Sequence, residues 1–134
     1  MKTLITKQAL ISVLLLFGIN AFTMGDMYAG EASKYGIYSN MQALEGDFSG
    51  FEFIILPSNE GDFLIFQHAE GWPMKPLILK VKLGGTKASE HDQIRFNHPE
   101  MGPFEGKITE GSLYGEFTEM KHTIKLHKGK SIWQ

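Results

Sequence analysis

The chain has 134 residues, of which 13 are basic, 15 are acidic and none is cysteine, and its formal net charge is −2. Without cysteine there are no disulfides and no cysteine-linked lipid anchor, so packing alone must stabilise the fold. The acidic balance disfavours a nucleic acid or an anionic membrane surface as partner, and the length suits one domain.

The first 21 residues have the pattern of a secretory signal peptide. Lys2 and Lys7 precede an apolar block over residues 9–17, and small or polar residues follow as far as Ala21. This block is shorter than the roughly 20 residues of a membrane-spanning helix. We predict cleavage after Ala21, or alternatively after Ala29, and an exported protein, periplasmic or extracellular, without a stable membrane anchor. Removal of the signal leaves 11 basic and 15 acidic residues, a net charge of −4.

Residues 22–37 are small, polar and aperiodic, which predicts a flexible leader before a single domain over residues 38–134. In that domain, short apolar stretches alternate with turn residues at a spacing of roughly 8 to 12 residues. Seven predicted strands are 48–56, 62–68, 77–83, 93–97 and three within 104–126. A short first strand near Met41 and Leu44 and a short last strand at Ile132 and Trp133 are further candidates.

The stretch 104–126 has the clearest strand pattern. A tight turn at Glu110 and Gly111 would place Phe104 opposite Phe117, with alternate residues of both strands on one apolar face. The same register places two like charges opposite each other, which costs a few tenths of a kcal/mol. The two like charges are the carboxylates of Glu105 and Glu116. The nearby Lys107 and Lys125 would offset their repulsion.

A second turn, at Met120 and Lys121, would continue this sheet. It would place Phe117 opposite Ile124 and Gly115 opposite Leu126. The three strands would then share one inner face.

Seven or eight such strands, and no helical period, predict an all-β protein. Because most strands have one apolar face, the sheet must curl to cover it, which favours a small antiparallel up-and-down barrel, closed or nearly closed, over the alternative two-sheet sandwich. Gly50, Gly106 and Gly115 favour the barrel, because glycines on strands allow strong coiling or leave space for a large neighbour such as phenylalanine.

The hairpin over residues 51–66 differs from the other strands because both of its faces are apolar. A strand buried on one side only would not show this pattern, so the second face needs a cover. The loop 71–75, a second copy of the chain or a partner protein would provide it. The residues taken to form the contact surface of this hairpin are Ile54, Leu56, Leu64 and Phe66.

The segment after this hairpin holds the one polar cluster in an apolar context. His68 and Glu70 point the same way on an extended strand, which is compatible with proton transfer or a metal ligand pair. No third group stands at a recognised metal spacing and no nucleophile motif is present, so we predict no metal, no cofactor and no catalytic residue. Trp72, before Pro73, is predicted to be a loop aromatic folded over the barrel mouth.

Several short motifs resemble a set of small exported bacterial proteins of uncharacterised function. The resemblance covers most of the mature chain, implies a stand-alone exported β-domain and carries no catalytic residue. The meander is also similar in outline to lipocalin-like barrels, but it lacks their cysteines and usual length, which argues against a large enclosed cavity. The motifs are Tyr38-Ser39, Glu70-Gly71-x-Pro73, Phe104-x-Gly106-x-Ile108, Leu113-x-Gly115-x-Phe117 and Ser131-x-Trp133-Gln134.

These patterns predict an exported, non-enzymatic binding module that contacts a small apolar ligand, an envelope protein or a second copy of itself. An inhibitor or protective protein directed against a secreted enzyme, presenting a loop such as 84–92, is one alternative. An enzyme that uses His68 and Glu70 is a second alternative. The predicted ligand or partner contacts are Ile54, Leu56, Leu64, Phe66, His68, Glu70 and Trp72.

Overall fold

The computed structural model describes residues 34–134. The predicted signal peptide and residues 22–33 of the predicted leader lie outside the described residues. In the described part, no helix is both long and apolar enough to cross a membrane. The elements of this part are β1 Gly36–Ser39, β2 Gln42–Leu44, β3 Asp47–Leu56, β4 Phe63–Pro73, β5 Leu77–Leu83, a 3₁₀ helix Ala88–Glu90, β6 Gln93–His98, β7 Gly102–Thr109, β8 Ser112–Phe117 and β9 His122–Lys128.

Eight of these strands close into an antiparallel barrel. Strands β3 to β9 pair in chain order, and β1 closes the ring by pairing with both β9 and β3. At this seam, Tyr38 lies opposite Phe53 of β3 and Lys128 of β9. Strand β2 pairs with β3 alone and extends the sheet beyond the ring. The predicted up-and-down barrel is therefore confirmed, and the sandwich alternative is wrong.

Strands β1 and β2 are two parts of one hairpin arm against β3. Their pairing with β3 keeps a single register from Gly36 to Leu44. Glu45 and Gly46 form the turn with φ angles of 52° and 95°, and a two-residue type I′ turn requires positive φ at both positions. The first strand thus begins at Gly36, inside the predicted flexible leader and two residues before the predicted start of the domain at residue 38.

Strands β7 and β8 pair in the predicted register. Phe104 lies opposite Phe117, and the ladder continues to Thr109 opposite Ser112 beside the two-residue turn. Alternate residues of both strands face the core, as the period-2 pattern requires. The buried inner residues are Phe104, Ile108, Leu113 and Phe117.

The paired glycines of this hairpin make room for a phenylalanine. Gly106 and Gly115 lie opposite each other, and the Phe104 ring packs beneath them. A Cβ atom at Gly115 would lie 2.5 Å from Phe104 Cζ, and one at Gly106 would lie 2.9 Å from Phe104 Cε1. Because real side chains do not approach so closely, the two strands need glycine at these positions, as the sequence indicated.

The predicted register between β8 and β9 is wrong by two residues. Phe117 lies opposite His122, and Ile124 lies opposite Gly115. Four residues, 118–121, form the turn, and Lys121 has a φ of 53°. A shift of two residues keeps every side chain on its predicted face, so hydrophobic periodicity alone does not distinguish the two registers. The observed register places the branched side chain of Ile124 opposite Gly115, which has no side chain.

The middle of the barrel interior is a packed aromatic core. Neighbouring phenylalanine rings have centroids 4.7–6.2 Å apart, mostly in tilted or edge-to-face arrangements, which aromatic quadrupoles favour. An eight-stranded barrel is about wide enough for side chains to fill it. The aromatic residues of this core are Tyr38, Phe53, Phe66, Phe96, Phe104 and Phe117.

Two predictions about the limits of strands are wrong. Strand β4 does not end at His68 but continues to Pro73, because Gly71 still pairs with Phe48 of β3. Residues 132 and 133 form a turn instead of a short strand, with the backbone N of Gln134 donating to the carbonyl of Ser131 at 3.3 Å.

Candidate ligand pocket at one end of the barrel

The register between β3 and β4 separates the apolar residues of the 51–66 hairpin. Leu64 and Phe66 lie opposite inward-facing residues of β3 and are only 0% and 1% exposed. They therefore do not share the outer face with Ile54 and Leu56. The sequence did not reveal this, because the register across the loop 57–62 depends on tertiary packing.

Four isoleucines form a row across the outer face of neighbouring strands. Ile54 lies opposite Ile37 on one side and Ile65 on the other, and Ile65 lies opposite Ile78. Ile78 is 74% exposed, and the nearby Leu56 is 44% exposed. Of the predicted contact residues, Ile54 and Leu56 thus belong to an apolar outer row.

The segment 131–134 covers the adjoining part of this outer face. The hydroxyl of Ser131 donates to Glu52 Oε1 at 2.7 Å, which helps to leave the Glu52 side chain 2% exposed. The Trp133 ring packs on Phe48 with a centroid distance of 5.1 Å. Part of the cover that the sequence required is therefore a segment of the same chain.

A pocket of about 220 Å³ opens at the end of the barrel where β5 and β6 separate. β5 pairs with β6 from Val81 to Leu83, whereas its earlier residues pair with β4 alone. The pocket lies in the gap between the two strands. Its lining residues are Phe66, His68, Met74, Lys75, Leu77, His98 and Glu100. Two of the predicted contacts, Phe66 and His68, are thus brought together with residues 74 and 75 of the predicted loop.

One wall of the pocket is held in place by hydrogen bonds to β4. The backbone N of Met74 donates to the carbonyl of His68 at 2.9 Å, and Gln67 Nε2 donates to the carbonyl of Met74 at 3.1 Å. Trp133 Nε1 donates to Gln67 Oε1 at 3.1 Å. Gln67 therefore links the segment 131–134 to the pocket wall.

His98 is the buried polar group of this pocket. It ends β6, is 3% exposed, and packs edge-on against the Phe66 ring at a centroid distance of 4.6 Å. Its Nδ1 accepts hydrogen bonds from the backbone N atoms of Glu100 and Met101, both at 3.1 Å. Because Nδ1 is an acceptor, the neutral ring carries its proton on Nε2.

The surroundings of His98 favour its neutral form. Burial lowers the pKa of His98, the carboxylate of Glu100 opposes this shift, and the positive charge of a protonated His68 adds to it. Protonation of Nδ1 would also turn the acceptor of two backbone N–H groups into a donor. His98 therefore acts as a neutral hydrogen-bond donor through Nε2.

His68 and His122 extend this end of the barrel into an aromatic cluster. The His68 ring stacks on Phe51 with centroids 5.9 Å apart, and the His122 ring lies 5.7 Å from the same phenylalanine. His68 faces the barrel interior opposite Phe51. The imidazoles thus serve here as packing groups around an aromatic ring.

The predicted pair of His68 and Glu70 does not form a joined unit. Glu70 is exposed and lies opposite Ser49, where β3 and β4 extend beyond the barrel, and no hydrogen bond connects the two side chains within the described structure. Among residues 34–134, no three histidine or acidic side chains are arranged to hold a metal ion.

Trp72 does not cover the barrel mouth. It lies near the end of β4 and is 72% exposed, so its ring has little contact with the rest of the described chain. The interpretation as a loop aromatic over the mouth is wrong because β4 continues through this position.

The sequence patterns did not single out His98 as a site residue. A usable signal was its place at the end of a strand, directly before Pro99 and a turn. There, a side-chain acceptor can bond the free backbone N–H groups of the turn.

Comparisons with known protein families, with curated proteins and with solved structures found no match. The resemblance to exported β-domain proteins, and export itself, stay predictions from the sequence.

Proposed function

We propose that this protein is an exported, non-enzymatic binding module that takes a small ligand in the pocket at the end of the barrel. The observation that carries the proposal is His98, a nearly buried imidazole whose Nδ1 is occupied by two backbone N–H groups. No fully buried side-chain nitrogen or oxygen in the described part lacks a hydrogen-bond partner. His98 Nε2 has no such partner within residues 34–134, so this atom is not fully buried, and His98 lines the pocket. A ligand with a hydrogen-bond acceptor would pair with it beside the apolar side chains of the pocket.

The remaining walls specify the rest of the ligand. Phe66, Met74 and Leu77 offer apolar surface, and the exposed Lys75 and Glu100 add one charge of each sign at the rim. A pocket of about 220 Å³ has room for roughly seven non-hydrogen atoms, if each takes about the 30 Å³ of a water molecule. We therefore propose a short-chain carbonyl or carboxylate compound as the ligand class.

A titration with compounds of matched size tests this proposal. Straight-chain carboxylates, methyl ketones and alkanes with about five to seven non-hydrogen atoms, which the pocket can hold, would be added to the purified protein while the His98 ring resonances are followed by NMR. We expect saturable shifts of the Nε2–H and ring protons with the carboxylates and ketones, and none with the alkanes.

Two variants separate the roles of the imidazole nitrogens. His98→Asn keeps an acceptor for the N–H groups of Glu100 and Met101 but loses Nε2–H, so we expect a folded protein with about tenfold weaker binding. The surface variant His127→Asn should bind normally. Binding that is unchanged in His98→Asn, or the absence of saturable shifts with every compound, would contradict the proposal.

A second candidate function is self-association through the isoleucine row. Its support is the alignment of Ile37, Ile54, Ile65 and Ile78 on one outer face, with Ile78 largely exposed. Exposed apolar patches of this kind often mark protein contacts. Light scattering should show a dimer that becomes a monomer in Ile78→Lys but persists in Leu44→Lys, a matched change at an exposed leucine of β2.

An enzymatic role and an inhibitory role have less support from the geometry. The enzymatic role would rest on His68 and Glu70, which are not hydrogen-bonded to each other in the described structure. The inhibitory role would rest on the loop 84–92, and no feature of its described residues points to a particular target.

A further inference from the structure

A second concave site lies on the outer surface of the barrel, over β6 to β9. It is a groove of about 370 Å³ whose floor contains Gly106 and Gly115. Its side walls are outward-facing side chains of the four strands. The pocket that His98 lines, here called the histidine pocket, lies elsewhere, at the end of the barrel. It shares no lining residue with the groove.

The groove depends on the glycine pair. The strands carrying Gly106 and Gly115 approach so closely that a Cβ at Gly115 would lie 2.7 Å from the Cα of Gly106. Glycines opposite each other permit strong local coiling of a sheet. Because neither glycine carries a side chain while the residues before and after each of them point outward, the backbone of the pair forms the floor of the groove.

One wall of the groove combines an aromatic ring with cationic and amide groups. Tyr114 is 45% exposed and lies opposite Lys107, which in turn lies opposite Gln93. An exposed tyrosine ring provides a flat apolar surface with a polar hydroxyl at its edge. This wall therefore offers a stacking surface beside hydrogen-bonding groups.

The other wall contains two carboxylates and a guanidinium group. Glu105 lies directly opposite Glu116 on one side and Arg95 on the other. The Arg95 guanidinium donates to the side-chain oxygen of Gln93, and other N–H groups of its fork remain available. Two carboxylates opposite each other repel, and departures from local rules of this kind are expected at functional sites.

The balance of charges in the groove points to a neutral ligand. Two cationic and two anionic side chains line it, so the fixed charges give no net attraction for an anion or a cation. They do provide donors and acceptors side by side, which suits hydroxyl groups because each hydroxyl both donates and accepts. At about 30 Å³ for each non-hydrogen atom, 370 Å³ accommodates roughly twelve, the size of one hexose ring.

We infer that this groove binds a neutral sugar, with one pyranose ring stacked on Tyr114 and its hydroxyl groups bonded to Glu105, Glu116 and Arg95. The ring would lie across the glycine floor. The hydroxyl donors would occupy the space between the two carboxylates and relieve their repulsion.

NMR titration of the full-length protein tests this inference, with the amide signals of Gly106 and Gly115 as local reporters. The probes are methyl glucoside and methyl galactoside as neutral sugars, glucuronic acid as the anionic match and glucosamine as the cationic match. We expect saturable shifts of both glycine amides with at least one neutral sugar and weaker effects of the charged sugars.

Variants of the groove decide whether the signal is specific. Tyr114→Ala should weaken binding roughly 5- to 10-fold, whereas Tyr114→Phe keeps the ring and should weaken it less. Leu44→Ala, a change at an exposed apolar residue of β2, should leave it unchanged. Tighter binding of a charged sugar than of the neutral sugars would overturn the inference. So would a Tyr114→Ala variant that binds the sugar as tightly as the unmodified protein, or the absence of shifts in the glycine amide signals with every probe. The His98→Asn variant should bind the sugar normally, so this result is independent of the proposed ligand pocket.

Discussion

Adding one methyl group at Gly115 would test the packing beneath the β7–β8 hairpin. In Gly115→Ala, the new Cβ would lie 2.5 Å from Phe104 Cζ, 2.5 Å from the carbonyl oxygen of Glu105 and 2.7 Å from the Cα of Gly106. Two of these three atoms belong to the backbone and cannot move away by a rotamer change. The methyl group must therefore displace a strand as well as a ring.

The expected cost follows from two opposing terms. Overpacking in a core destabilises by about 1–3 kcal/mol, and occasionally by more, while replacing glycine by alanine in a strand returns roughly 0.5–1 kcal/mol of chain entropy. Because two of the clashes at Gly115 involve the backbone, we expect the upper part of the overpacking range and a net loss of about 2 kcal/mol. For a domain of this size, such a loss corresponds to a decrease in melting temperature of roughly 8–16 °C.

Urea unfolding with a matched control would measure this loss. Gly111 lies in the turn of the same hairpin, and a Cβ there would meet nothing within 4 Å, so Gly111→Ala should change the free energy of unfolding by less than about 0.5 kcal/mol. Shortening the ring with Phe104→Leu should cost less in the Gly115→Ala background than alone, by roughly 1 kcal/mol. If Gly115→Ala were no more destabilising than Gly111→Ala, the packing described for Phe104 would be incorrect.

Two further predictions concern the histidine pocket and the segment 131–134. Because burial lowers the pKa of His98 in the folded state, the unfolded chain binds the additional proton. The contribution of neutral His98 to the free energy of unfolding is therefore complete above the pKa of an unfolded histidine, about 6.5. It is lost as the pH falls below that value towards the lower pKa of His98 in the folded protein. Urea unfolding between pH 7.5 and 5.5, a window of roughly one unit either side of that pKa, should therefore show a smaller loss of stability for His98→Asn than for the unmodified chain. Equal losses would contradict the assignment. Ser131→Ala removes the hydrogen bond to the buried Glu52 carboxylate and should cost about 1–3 kcal/mol, with a red shift of tryptophan fluorescence as Trp133 leaves Phe48. Lys130→Ala, next to it but exposed, should change neither quantity.

The fold class was predictable because its signals are local. Alternation of apolar and polar residues indicated the strands, and the turn at Glu110 and Gly111 set the register from Phe104 to Thr109 correctly. Opposed glycines on neighbouring strands indicated where a large ring would pack. These features depend on residues close in sequence, whose geometry is restricted by the chain itself.

The candidate site was less predictable because it depends on distant contacts. Phe66 and His68 were expected at a binding surface, and they do line the pocket, but Leu64 lies in the core and Trp72 is exposed. The pocket itself exists because β5 leaves β6 before Val81. No local pattern in the sequence indicates that separation, and none predicted the role of His98.

The sequence by itself determined an all-β chain with one apolar face on most strands, because side chains in a strand alternate with period 2 whatever lies beside it. The tertiary structure alone decided the registers across the turn 118–121 and the loop 57–62, the closure of the ring by β1, and the docking of residues 131–134 on the outer face. At the turn 118–121 a shift of two residues leaves the apolar pattern unchanged, and at the loop 57–62 both faces of the hairpin are apolar. Only the packing of side chains from strands far apart in the chain therefore distinguishes one arrangement from another.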